Sequence, residues 1–298
     1  MKKILIPLLI LINQTLVAQL PDFKKNGYKL LDAINGASLY SKTVRSKEAS
    51  YTVFLHVIDL RLIKMGHWVS PSKDVENAPQ GHYLAVEKYS KSPYFKQHTP
   101  SKAITGLTNT YKTKLFGIIN AAFYEQYTDT TQLSFPIKVD GEIRTAGSSP
   151  YGPHKNPKLP YYKKVVLKSM AWTDSTVVIQ DYNTQSGYPL TSENIKNALV
   201  SYHYKDHPAH VIRAESPNLF YTLGTLSEDN QPSPYIFILT VNATTLDNAA
   251  AELVQLGIKS TIMTIDGGAS VLIYNARKGT LMSPASRALP HYLFFTEK

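Results

Sequence analysis

Residues 261–274 read TIMTIDGGASVLIY. A β-branched apolar run enters a polar turn, Asp266-Gly267-Gly268-Ala269-Ser270, and a second apolar run, Val271 to Tyr274, leaves it. Such a turn sets a carboxylate, two residues without side chains and a hydroxyl at the end of a buried strand. Glycine lets a backbone approach a ligand closely, and its N–H can stay open to an anion. Asp-Gly between apolar runs is also the sequence of a two-residue hairpin turn. Alone, the stretch fits a hairpin as well as a site.

Upstream, the pattern of residues 245–256 predicts a helix. Thr244 or Thr245 can cap it, Asp247 suits its positive end, and Ala249, Ala250, Leu253, Val254 and Leu256 form its buried side before Gly257 ends it. Helix, glycine and strand then deliver Asp266 at the strand's C-terminal end, where ligand sites collect in α/β units. Further runs rich in Val, Ile, Tyr and Phe and bounded by Gly, Pro, Asn and Asp predict strands. They lie at 51–58, 82–87, 114–120, 135–139, 164–167, 176–180, 235–241, 260–265, 271–274 and 292–295. Two more helices are expected, at 192–200 and 22–34. The fold class is therefore α+β: a mixed, mostly antiparallel sheet system with a few packed helices. One domain covers 20–298, with no fixed-period repeat.

Residues 1–19 read as a cleaved secretory signal peptide. Lys2 and Lys3 precede an apolar stretch, Ile4 to Ile12, and Leu16-Val17-Ala18-Gln19 offers the cleavage site. No run approaches the ~18 apolar residues of a membrane-spanning helix. The chain has no cysteine, so lipidation at the cleavage point and disulfides are excluded. Export without disulfides suits a secreted or periplasmic bacterial enzyme with a sizeable core. The formal net charge of +10 attracts anionic polymers through a long-range field, or serves solubility alone. With an export signal, sugar phosphates and acidic glycans are better partners than nucleic acid. Nucleotide-binding glycine loops and the Gly-x-Ser-x-Gly elbow are both missing.

Three segments, taken in chain order with this turn, resemble the phosphodiester glycosidase family. They are GIINAAFYE (residues 117–125), FPIKVDGEI (135–143) and SPASRALPHYLFF (283–295). The family pattern has a strand ending in Asn-Gly-Gly-Phe-Phe, a Pro-containing strand, an arginine, a helix, an Asp-Gly-Gly-Gly-Ser turn and a late arginine before a closing strand. The resemblance runs from about Tyr51 to Phe295. It implies a hydrolase of glycosyl phosphodiesters in envelope or extracellular glycans, with the strands ending at Asn120 and Ile265 side by side at one cleft. This chain departs from the pattern at Ala121 and Ala122, where the family has two glycines. That departure keeps open a non-catalytic glycan-binding protein on the same fold. A hydrolase or lyase of another acidic polysaccharide is a further alternative.

Cleaving a sugar–phosphate linkage needs a carboxyl group for proton transfer and donors for the anion. Asp266 is the first carboxylate, as acid/base, sugar anchor or metal ligand, against an Asx-turn role. Glu125 is the second, against a solvated loop residue. Asn120 either orients substrate or ties down a buried turn. Gly267, Gly268 and Ser270 are N–H and O–H donors to phosphate, or turn formers. Arg213 is a bidentate phosphate partner or forms a surface pair with Glu215. Its distance from Gly224 exceeds the family spacing. Arg287, the late arginine, is a phosphate or carboxylate clamp, or a strut bonding the turn. His203, His207 and His210 beside Asp206 have the chemistry of zinc ligands but no standard spacing, and Pro208 forbids a helix there. No cofactor or metal site is assigned, although the chemistry leaves room for a divalent cation. The Pro- and Tyr-rich loop at 145–164 is either a sugar-covering element or a stiff surface excursion.

Overall fold

The computed structural model describes residues 19–45, 50–73, 81, 83, 84, 86–89, 91–125, 129–148, 167–207, 218–283 and 287–298. The leader (but for its last residue), Arg213, His210 and most of the 145–164 loop lie outside them. Among the described residues the strands are β1 (Lys29–Ile34), β2 (Ala37–Arg45), β3 (Ser50–Asp59), β4 (Ile63–Val69), β5 (Phe95–Lys96), β6 (Leu115–Asn120), β7 (Thr130–Thr131), β8 (Ile137–Val139) and β9 (Glu142–Thr145). They continue with β10 (Leu167–Trp172), β11 (Val177–Asp181), β12 (Asn197–His203), β13 (Asn218–Gly224), β14 (Tyr235–Thr244), β15 (Met263–Thr264), β16 (Ile273–Asn275), β17 (Gly279–Met282) and β18 (His291–Glu297). The helices are α1 (Pro100–Tyr111) and α2 (Leu246–Gln255). No helix is long and apolar enough to cross a membrane among these residues.

The large sheet runs β1-β2-β3-β14-β13-β15-β12-β10-β11, with β8 and β9 attached to β12. A five-stranded sheet runs β17-β16-β6-β18-β4. The described ladders are antiparallel throughout, so the expected α+β class holds.

Side-chain alternation along a strand explains the layering. On β3 and β14, Val53, Leu55, Val57, Phe237, Leu239 and Val241 pack on Leu246, Ala249, Ala250 and Leu253 of α2. Ile58, Ile236 and Ile238 point the other way and share one core with Phe116, Ile118, Leu293 and Phe295 of the small sheet. Because both faces are buried, these strands read as continuous apolar runs. On the far side of the small sheet, α1 contributes Ala103 and Leu107, and Tyr111 lies 4.8 Å from the Phe294 ring. A half-buried ion pair, Lys42 Nζ to Glu252 Oε2 at 2.7 Å, ties α2 to β2, with the Tyr28 hydroxyl donating to the same carboxylate.

Helix α2 is built as its sequence predicts. The Thr245 side chain accepts from Asn248 N–H at 3.2 Å. Gly257, at φ +79°, turns the chain so that Ile258 N–H reaches the Leu253 carbonyl at 3.3 Å.

Several expectations are corrected. Residues 192–200 form turns followed by β12, which bonds to β10, β8 and β15; these ladders override any local helical preference. Residues 22–34 form one Asp22-capped turn, closed by Gly27 at φ +82°, and then β1. Within 82–87 the described residues hold no strand, and a 3₁₀ turn begins at Glu87. The strand expected at 260–265 shrinks to β15. Ser260 and Thr261 are drawn off by Thr225 and Asp229, and Asp266 already bonds to the neighbouring sheet.

Candidate active site

The turn at 266–270 carries the chain from β15 in the large sheet to β16 in the small one. The end of β6 receives it. Asp266 N–H donates to the Ala121 carbonyl at 2.9 Å. The Asn120 side-chain amide donates to the Asp266 carbonyl at 2.8 Å, and its oxygen accepts Leu272 N–H at 2.9 Å. One buried amide thus bonds both ends of the turn. The end of β6 and the chain leaving β15 thus meet side by side.

The glycines have separate reasons. A Cβ on Gly267 would lie 2.7 Å from the Leu219 carbonyl oxygen of β13, a backbone atom that cannot retreat alone. Gly268 has φ +58°, in the left-handed region that glycine favours. A single 3₁₀ turn follows, Gly268–Ser270. No carbonyl among the described residues accepts the N–H groups of Gly267, Gly268 or Ala269.

The Asp266 carboxyl group is deep in this turn. Its Oδ2 is buried and has no hydrogen-bond partner among the described residues. Burial pushes its pKa up to about 7, against the opposing pull of the Ser270 hydroxyl and the Arg287 charge. Arg287 Nη1 donates to Ser270 Oγ at 3.1 Å. Arg287 and Ser270 are thus paired beside the Asp266 carboxyl group and act on it electrostatically.

Ala121 and Ala122 are buried in the inter-sheet core, and their backbone groups face inward. The Ala121 carbonyl receives Asp266, and Ala122 N–H donates to His291 Nδ1 at 3.2 Å. Glu125 has other partners: Ser148 Oγ donates to its Oε1 at 3.0 Å, and its N–H bonds the Gln132 carbonyl.

An aromatic wall flanks the turn. The Phe123 ring lies 5.5 Å from Tyr202 and 5.3 Å from His207, and His207 lies 6.2 Å from Phe220, the residue whose Cα a Cβ on Gly267 would approach. His203 Nδ1 stands 3.8 Å from Asp206. Among the described residues no group of three His, Asp or Glu side chains is placed to hold a metal ion. A polar pocket of about 280 Å³ beside β4, lined by Lys64, Asp140, Trp172 and Lys196 among others, shares no residue with the turn.

The fold resembles that of a zebrafish glycosidase. The catalytic domain of zebrafish N-acetylglucosamine-1-phosphodiester α-N-acetylglucosaminidase, in a form auto-inhibited by its pro-peptide, superposes with TM-score 0.53 at 11% identity, over 91% of this chain and 89% of that one. A hypothetical protein from Synechocystis gives TM-score 0.46 at 10% identity over 91% of this chain, which spans 64% of that protein. A protein from Burkholderia pseudomallei gives 0.45 at 9% identity, over 83% of this chain and 74% of that one. No protein-family model matches the chain, and no curated protein matches it in sequence. These likenesses concern the fold.

Several neighbours of the site carried no assigned role in the sequence reading. His291 stands in the quoted closing segment, and Phe123 in the quoted Asn120 segment. His67 lies on a strand that the apolar-run reading passes over.

Proposed function

We propose that this chain is an exported hydrolase of glycosyl phosphodiesters, with its active site at the 266–270 turn. The observation that carries the reading is the Asp266 carboxyl group, whose buried Oδ2 has no partner among the described residues, beside the Arg287–Ser270 pair and three N–H groups that no described carbonyl accepts. A carboxyl group with a pKa near 7 exchanges its proton at neutral pH, as an acid/base group should. In this scheme water adds to the anomeric carbon, and the bond from that carbon to the phosphate oxygen breaks. The water proton passes to the carboxylate, and the phosphate monoester leaves as an anion. Arg287 and the N–H groups of Gly267 and Gly268 hold that anion. Glu125 serves as the second carboxylate, and Arg213 as a second cation. The Phe123–His207 wall gives the sugar an apolar face.

Asn120 is assigned here as the tie that sets the turn, because both polar atoms of its amide are committed. The similarity in fold to a glycosidase supports a hydrolase reading, and the leader-like N-terminal sequence supports a secreted or periplasmic address. A glycan-binding protein without turnover is the second reading. It is favoured by Asn120, Ala121 and Ala122 all being engaged internally.

An aryl phosphodiester of N-acetylglucosamine tests the choice. Turnover by the wild type that disappears in a folded Asp266→Asn variant supports the hydrolase. Retention on an immobilised glycan without turnover supports the binder.

A further inference from the structure

Behind Ala122 lies a hydrogen-bonded chain that the proposed chemistry does not use. His291 Nδ1 accepts the Ala122 N–H at 3.2 Å, and His291 Nε2 meets His67 Nδ1 at 2.8 Å. The two rings stack at 4.9 Å, and His67 stacks in turn on Trp172 at 4.7 Å. Trp172 is itself fixed by its indole N–H, which donates to the Met65 carbonyl at 2.9 Å.

The direction of this chain is set by one fact: a backbone amide only donates. His291 Nδ1 must therefore be unprotonated, which places the His291 proton on Nε2. That proton goes to His67 Nδ1, so His67 carries its own proton on Nε2. A proton added to His291 Nδ1 would set two N–H groups against each other at Ala122. A proton added to His67 Nδ1 would do the same between the rings. The tie exists only while both imidazoles are neutral. Burial keeps them so, and no carboxylate among the described residues acts on either ring. From the facing strand Lys138 presents its backbone to His67, and its ammonium donates to the Ser192 carbonyl.

We propose that His291 and His67 are positioning residues: as a neutral pair they hold the Ala122 N–H, and with it the Ala121 carbonyl that receives Asp266. This rests on the turn being the active site. Ala121 and Ala122 carry no polar side chain, so the strand end is positioned through its backbone, and His291 is the side chain that grips it.

The test has an arm that needs no activity. Imidazole and amide NMR on the whole folded protein should show His291 protonated on Nε2, and an Ala122 amide that exchanges slowly. In His291→Phe that amide should exchange at least about tenfold faster. In His291→Asn, whose Oδ1 can take the place of Nδ1, most of the protection should return. The kinetic arm uses the aryl phosphodiester. His291→Phe, and His67→Phe, which keeps the stack on Trp172, should lower kcat by roughly thirty- to a hundredfold with KM little changed. His291→Asn should recover most of kcat. A His291 proton on Nδ1, equal Ala122 exchange in all variants, or equal kcat losses in His291→Phe and His291→Asn would overturn the proposal. If the wild type has no turnover, the hydrolase reading fails while the exchange arm still decides the positioning role.

Discussion

The side-chain amide of Asn120 donates to the backbone carbonyl of Asp266 at 2.8 Å across 146 residues of sequence. With its oxygen on Leu272 N–H, it holds the crossing from one sheet to the other. Asn120→Ala leaves a buried carbonyl and a buried N–H without partners. Each costs about 1–3 kcal/mol, so urea unfolding should show a loss of roughly 3 kcal/mol. An unchanged midpoint would mean that the turn holds itself.

The two glycines of the turn should respond differently. Gly267→Ala drives a methyl to 2.7 Å from a backbone oxygen, so β13 or the turn must move. Gly268→Ala meets only the Asn218 side chain, at 3.7 Å, and pays for a positive φ with about 1 kcal/mol. Thermal melts should place Gly267→Ala well below Gly268→Ala. The reverse order would contradict the packing described here.

Stability should fall in acid. His56 is fully buried between the sheets, with neither ring nitrogen partnered among the described residues. Burial lowers its pKa from 6.5 to about 4, that of His291 to about 3, and that of His67 well below the usual value. The unfolded chain therefore binds more protons below pH 6.5, and stability is lost as pH falls from there towards 4. Each histidine contributes a slope of up to about 1.4 kcal/mol per pH unit. His56→Leu should remove one proton's worth of that slope in urea titrations between pH 4 and 6.5. An identical slope would show that His56 titrates normally.

Asp266 works in the opposite sense. Its folded pKa of about 7 exceeds the ordinary 3.8, so the folded state binds the extra proton and stability falls as pH rises between these values. Asp266→Asn replaces the protonated acid by a neutral group of similar shape. The variant should melt several degrees above the wild type at pH 8 and close to it at pH 4. Equal melting at both pH values would mean that the carboxylate is ionised at no cost, and the acid/base role would go with it.

What the sequence disclosed follows from range. The apolar runs of β3, β6, β14 and β18 and the capped helix α2 were legible, because composition and caps are local signals. The α2 boundaries were correct to within a residue or two. Residues 192–200 were misread as helix: the strand that includes their second half, NALVSYH, is buried almost throughout, so no period separates a strand from a helix. Helix α1 was missed although Thr99 and Pro100 form a usable start signal; it buries only Ala103 and Leu107, too few to show a stripe. At the site, Asp266, Gly267, Gly268 and Ser270 were legible as one turn. Arg287 was read as a possible strut to that turn, and it bonds Ser270. The His67–His291 contact spans 224 residues, and nothing in either neighbourhood announces the other.

The most direct test of the account is the phosphate preference of Arg287. The ratio of kcat/KM on the aryl phosphodiester to that on the neutral aryl glycoside should be measured for the wild type and for Arg287→Lys. A guanidinium offers a paired contact that an ammonium cannot reproduce. The account predicts a loss of about 2 kcal/mol, or roughly thirtyfold, on the phosphodiester and almost none on the neutral glycoside. Equal losses on both substrates would make Arg287 a strut for Ser270, and no loss on either would place it outside the site; either result contradicts phosphodiester recognition at this turn.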